Sequence, residues 1–260
     1  MELTEDKAKV VRYFLKNTPV GEQNEVIKDL EKIIGHEAVH NEVFADYLTE
    51  HLAEHGTVVN HEGTNLMLTT LGRNGFTFFD PKVSATFDIN PYDLTASNLS
   101  VVTSGTPFSE LLQSKLDSYL SNHFSDKVQG RVFQNDEGAF IVISCSSINL
   151  RNMWTGEWLA DWKFSEGTLQ GSIQFKAHYF EEGNLQCSQS KSFEKKIVAS
   201  SEEAGAEEIL KAIKEADNAI QNGMKEIYEN LPQLAFKRMR RTMPVTQVKF
   251  SEMYKTKMFS

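Results

Sequence analysis

The chain is 260 residues long, with 40% hydrophobic and 24% charged residues, enough to bury a sizeable core and too ordinary for a fibrous or disordered protein. It has no run of about 18 apolar residues to span a membrane, and its acidic start, MELTEDKAKVV, lacks the apolar stretch of a secretion signal. Cys145 and Cys187 are the only cysteines, so a disulfide framework is excluded and a reducing, cytoplasmic setting is expected.

The net charge of −9 is unevenly spread. From Leu231 to the end there are seven basic residues (Lys237, Arg238, Arg240, Arg241, Lys249, Lys255, Lys257) and one acid, Glu252, a balance of +6 that leaves −15 on the rest. An acidic body with a basic tail points to a function at the C-terminus and to an acidic partner: a protein surface, an anionic lipid or a nucleic acid.

The first 55 or so residues read as helices. Val10, Val11, Phe14 and Leu15 give one apolar face, ended by Thr18-Pro19-Val20-Gly21. Val26, Leu30, Ile33 and Ile34 give a second face, stopped by Gly35, and a third helix is predicted from about His36 to His55. Short strands follow between Thr57 and Ser104, among them Asn65–Leu71 and Phe76–Phe79. Pro107 to Phe124 is helical again, with a stripe of Leu111, Leu112, Leu116, Tyr119 and Leu120.

Val128 to Val198 is the clearest sheet. Leu169, Ile173, Phe175, Ala177 and Tyr179 alternate with Ser172, Gln174, Lys176 and His178, and Glu181-Glu182-Gly183-Asn184 turns this strand into Leu185–Val198. Ser200 with Glu203 predicts a capping box for a long helix, whose apolar side is Ile209, Ile213, Ile220, Met224, Ile227 and Leu231. Pro232 kinks that helix or starts another, and Pro244 ends the basic segment. Beyond it, Phe250, Met253, Tyr254 and Met258 share one helical face, a marginal helix by itself.

Two histidine patterns could carry metal chemistry. His36-Glu37-Ala38-Val39-His40 is a literal HExxH, and His51-Leu52-Ala53-Glu54-His55 is the inverted form. On one continuous helix His40 and His51 stand roughly 16 Å apart along the axis, so the pairs are separate half-sites. Each lacks a third ligand, and the expectation is polar helix margin and no zinc. No GxSxG, P-loop or Rossmann glycine pattern is present, and neither cysteine has an evident basic activator. Trp154, Trp158 and Trp162 could stack on a sugar or a base, but core or interface anchoring is the favoured reading.

Cations at a helix C-terminus stabilise by about 0.3–1 kcal/mol each, which accounts for one or two of them. Four in five positions at Lys237, Arg238, Arg240 and Arg241, followed by a detached amphipathic segment, exceed that need. A binding face is the better reading, and no nucleic-acid fold signature accompanies it.

At these residues the chain resembles the alpha subunits of the F-actin capping protein family. Phe236-Lys237-Arg238-Met239-Arg240-Arg241-Thr242-Met243-Pro244 is similar to the family's F-K-x-L-R-R-x-L-P signature, with Met in place of both Leu. Ala177-His178-Tyr179-Phe180-Glu181-Glu182-Gly183-Asn184-Leu185 resembles H-Y-Y-E-D-G-N-V, and Asn152 to Phe164 resembles N-x-W-x-G-x-W…W-K-F. Gly21 to Val26 and Phe79-Asp80-Pro81 resemble the N-terminal and middle blocks.

The resemblance implies an α+β fold: an N-terminal three-helix stalk (1–56), a small strand-rich region (57–106), and a helix plus central antiparallel sheet (107–199). A long helix with the basic cluster (200–243) and a C-terminal amphipathic tentacle (244–260) complete it. It implies a non-enzymatic alpha subunit, with no cofactor, that caps actin filament barbed ends independently of calcium. The implied partners are a beta subunit whose sheet continues this one, the barbed end itself, and anionic phosphoinositides as inhibitors, but not nucleic acid. The implied actin-binding basic residues are Lys237 and Arg241, with Arg240 beside them; Lys249 and, from the helical spacing, Phe250, Met253 and Tyr254 are expected to add contacts from the tentacle. Gln247 stands where the family carries a third basic residue. A zinc hydrolase, recognisable by bound metal, and a polyanion-binding module that needs no actin are the competing readings.

Overall fold

The computed structural model of the chain describes residues 5–18, 21–102, 105–124, 127–149, 151–179 and 185–230. The chain divides into two compact units, 1–210 and 211–260. In the first, four helices lead: α1 (Glu5–Lys16), α2 (Gln23–Ile34), α3 (His36–Val39) and α4 (Glu42–Glu54). The third predicted helix is thus two. Asn41 adopts an extended conformation and its Oδ1 accepts a hydrogen bond from the Phe44 N–H at 2.8 Å, capping α4 and interrupting the run after His40. The buried stripes are also narrower than predicted. Val11 and Leu15 of α1 are buried while Val10 and Phe14 are exposed, and Ile27, Leu30 and Ile34 bury α2 while Ile33 is exposed.

Strands β1 (Val58–His61) and β2 (Thr64–Met67) form a hairpin. An antiparallel meander follows: β3 (Arg73–Asn74), β4 (Thr77–Asp80), β5 (Ala85–Asn90) and β6 (Thr95–Val101). The helices and these strands share one apolar core, in which Leu15, Leu30, Phe44, Leu48 and Leu52 meet Val59, Leu66, Phe78 and Phe87. The two halves thus bury their apolar residues against each other as one layer pair.

Helix α5 (Pro107–His123) opens with a full capping box between Thr106 and Ser109. The central sheet follows, five antiparallel strands in the order β11-β10-β9-β8-β7: β7 (Gln129–Asn135), β8 (Gly138–Asn149), β9 (Trp154–Ser165), β10 (Thr168–Tyr179) and β11 (Leu185–Lys196). Pairing of β10 with β11 in full register bears out the predicted hairpin, whose turn lies outside the described residues. Registers place Val132, Ile141, Ile143, Ala160, Trp162 and Ile173 on one face, all buried. Gly130 shares that face, and a Cβ there would come within 2.6 Å of Leu120 and 2.9 Å of Leu116, which is where α5 seats its apolar stripe. The opposite face holds Phe133, Val142 and Leu159 against Met67. There the Ser144 hydroxyl donates to the His55 carbonyl at 3.1 Å, tying the end of α4 to the sheet.

Helix α6 (Glu202–Asn230) carries the chain out of the first unit and is the whole described part of the second. The Ala204 N–H donates to Ser201 Oγ at 3.2 Å, so the cap falls one residue later than the predicted Ser200. Ile209, Ile213 and Ile220 are buried, as their spacing predicts. No helix among the described residues is long and apolar enough to cross a membrane.

Candidate functional site

The seven residues singled out as contacts, Lys237, Arg240, Arg241, Lys249, Phe250, Met253 and Tyr254, lie outside the described residues. What leads to them is α6, which has acids in its first turn, Glu202 and Glu203, and no basic residue in its last. Among the described residues, the candidate sites are therefore an edge, a buried polar cluster and a histidine group.

The edge is β11. It pairs with β10 on one side only. From Gln186 to Lys196 every residue is exposed or half-buried, while β8 and β9 each bury five of their twelve residues. A twelve-residue edge, with the backbone groups of alternate residues facing outward, would invite another strand. Lys191, Lys195 and Lys196 sit along it, and Lys191 Nζ lies 5.3 Å from the centre of the Phe193 ring. The opposite edge, β7, is shorter, and four of its seven residues are buried.

Trp162 is 4% exposed and packs 5.9 Å from Phe193, while Trp158 lies 6.1 Å from Phe124. Gly171 makes room for Trp162, since a Cβ there would fall 2.5 Å from its ring. These rings are anchors of the sheet and not a stacking platform, in line with the favoured reading.

The second histidine pair is not a polar helix margin. His51 is 4% exposed, and neither ring nitrogen has a hydrogen-bond partner. Burial, followed by the charges of His55 and Lys176, pushes its pKa down to about 3, so the ring is neutral. His55 Nδ1 is bonded to buried Glu157, which also lies 3.6 Å from Lys176. This cluster satisfies a carboxylate under the sheet and has no solvent-facing nucleophile.

The first pair is different. The turn at Gly35 brings Glu31 of α2 beside His36 and His40, with one ligand atom from each within 4.8 Å of the others. The third ligand that the sequence pattern lacks is thus present, on the preceding helix. Counting ligands along one helix alone cannot find it.

The model of the family described as F-actin capping protein alpha subunit matches residues 11–256. An F-actin-capping protein subunit alpha of Candida glabrata is 25% identical, over 95% of this chain and 92% of that protein. That of Yarrowia lipolytica is 27% identical, over 92% and 88%, and that of Caenorhabditis elegans 25%, over 94% and 91%. A solved structure, described as the homodimeric actin capping protein alpha subunit from Plasmodium berghei, has the same fold. Its TM-score is 0.74 at 21% identity, covering 92% of this chain and 97% of that one. With a match from within the first helix to four residues from the end, the chain belongs to the F-actin capping protein alpha subunit family.

Proposed function

We propose that this chain is the alpha subunit of a heterodimer that caps actin filament barbed ends, blocking subunit addition and loss without calcium and without catalysis. The observation that carries the reading is the extent of the family match. It runs through residue 256 and so includes all seven predicted contact residues.

The mechanism needs two stages. Attraction between the +6 tail and acidic actin speeds encounter and weakens with salt. Phe250, Met253 and Tyr254 of the tentacle then dock in an apolar groove and slow release. Lys237, Arg240, Arg241 and Lys249 supply the charge, and anionic phosphoinositides inhibit by occupying the same cations. The beta subunit adds its sheet along β11, whose exposed backbone supports this placement. The complex works in the cytoplasm on the actin cytoskeleton.

Co-purification from native cells followed by intact-mass measurement tests the assembly. The reading expects a second, different chain in equal amount. A stable homodimer, the state described for the Plasmodium berghei subunit, or a monodisperse monomer would overturn it.

A further inference from the structure

Glu31, His36 and His40 converge by local geometry alone. Gly35 has φ +94°, a conformation that favours glycine, and it turns the chain sharply between α2 and α3. Its N–H still donates to the Glu31 carbonyl at 2.9 Å, which holds the turn close. His36 Nδ1 is bonded to Glu31 Oε1. One helical turn on, the His40 N–H donates to the His36 carbonyl at 3.1 Å, and the two imidazoles lie with centres 4.3 Å apart, tilted at 51° to each other. Tyr92 backs the arrangement: its hydroxyl donates to the Val39 carbonyl at 2.7 Å, and its ring lies 5.3 Å from His40.

We propose that Glu31, His36 and His40 bind one divalent transition-metal ion, with zinc preferred. Two imidazoles and a carboxylate are a common donor set for zinc with one position left to water. The nitrogen ligands disfavour calcium and magnesium, which take oxygen. Ligands at about 2 Å from a tetrahedral ion stand about 3.3 Å from one another. The atoms here already lie within 4.8 Å. The His36 side chain is 71% exposed and Glu31 37%, so small rotations close the difference without moving the backbone. The ion replaces the Glu31–His36 bond and clips α2 to α3 across Gly35. The buried pair cannot compete, because His51 is shut in the core and His55 is bonded to Glu157.

The site is independent of capping, so its test needs no actin. The purified full-length protein, in whatever assembly it is isolated, is titrated with zinc sulfate by calorimetry and with cobalt(II) by visible absorption. We expect one ion per chain, a tetrahedral cobalt spectrum, and a higher thermal midpoint with zinc. Glu31→Gln, His36→Asn and His40→Asn should each weaken binding by at least ~100-fold, beyond the 10–100-fold typical of residues that only support a ligand. His61→Asn should leave it unchanged. Glu31→Gln is the discriminating variant, since it keeps a hydrogen bond to His36 and loses the anionic ligand. Thermal melts without zinc show that each variant is folded. Absence of saturable binding, or one-to-one binding that survives the His36→Asn/His40→Asn double variant, would overturn the assignment.

Discussion

The guanidinium of Arg131, at the heart of β7, is fully buried against the carboxylate of Asp80, its Nε 2.7 and 2.8 Å from the two oxygens. The remaining nitrogens are also satisfied. Nη1 donates to the Gly130 carbonyl at 2.9 Å and Nη2 to the Asn65 carbonyl at 2.9 Å. Asp80 in turn accepts from the N–H groups of Met67 and Lys82, both at 2.9 Å. One pair thereby ties β2 and β4 to the edge of the central sheet. Asp80→Ala would leave a buried cation uncompensated, at a cost of about 3–5 kcal/mol. Urea unfolding should show that loss, and a change under about 1 kcal/mol would mean the pair is dispensable.

Gly171 and Gly223 make opposite predictions. A Cβ at Gly171 would lie 2.4 Å from the Asp161 carbonyl oxygen and 2.5 Å from the Trp162 ring, so Gly171→Ala should destabilise by about 1–3 kcal/mol. Gly223 lies within α6 with nothing within 4 Å, and Gly223→Ala should stabilise by up to about 1 kcal/mol. Thermal melts of the two variants should move in opposite directions.

His51 gives the fold an acid-side weakness. An unfolded imidazole takes up its proton near 6.5, whereas the buried ring does so only near about 3. Between those values the unfolded state binds more protons, so stability falls as pH drops from about 6.5 towards about 3. The slope from this one group reaches up to about 1.4 kcal/mol per pH unit. His51→Leu should flatten that part of the urea-stability profile, and an unaltered profile would assign the slope elsewhere.

Much of this architecture is legible in the sequence, for reasons that differ by element. The β10–β11 hairpin follows from strict alternation, and α5 from Thr106, Pro107 and its leucine spacing. The break at Asn41 is hidden because the residues on both sides suit a helix, and only the cap contact to Phe44 N–H reveals it. Glu31 is hidden as a partner for His36 and His40 because it lies on the helix before Gly35, outside the five-residue histidine spacing. Phe79-Asp80-Pro81 stands out as a motif, but its partner Arg131 is 51 positions away in sequence, and no periodicity links them. The contact residues after Pro232 are read from charge, apolar spacing and resemblance, and they lie outside the described residues.

Charge and apolar face should separate kinetically. Replacing Lys237, Arg240 and Arg241 with Ala should slow capping through the association rate and flatten its salt dependence. Ending the chain at Pro244 should spare folding and pairing, and speed release by about tenfold for each 1.4 kcal/mol of lost apolar burial. Loss of pairing in the truncated chain would show that the tail belongs to the fold.

The most direct measurement is elongation of actin from filament seeds in the presence of the purified native complex, with growth followed separately at the two ends. Substoichiometric complex should stop barbed-end growth in calcium-free buffer, leave pointed-end growth untouched, and act less well as salt rises. Undiminished barbed-end growth at complex concentrations far above the number of ends would contradict the proposed function.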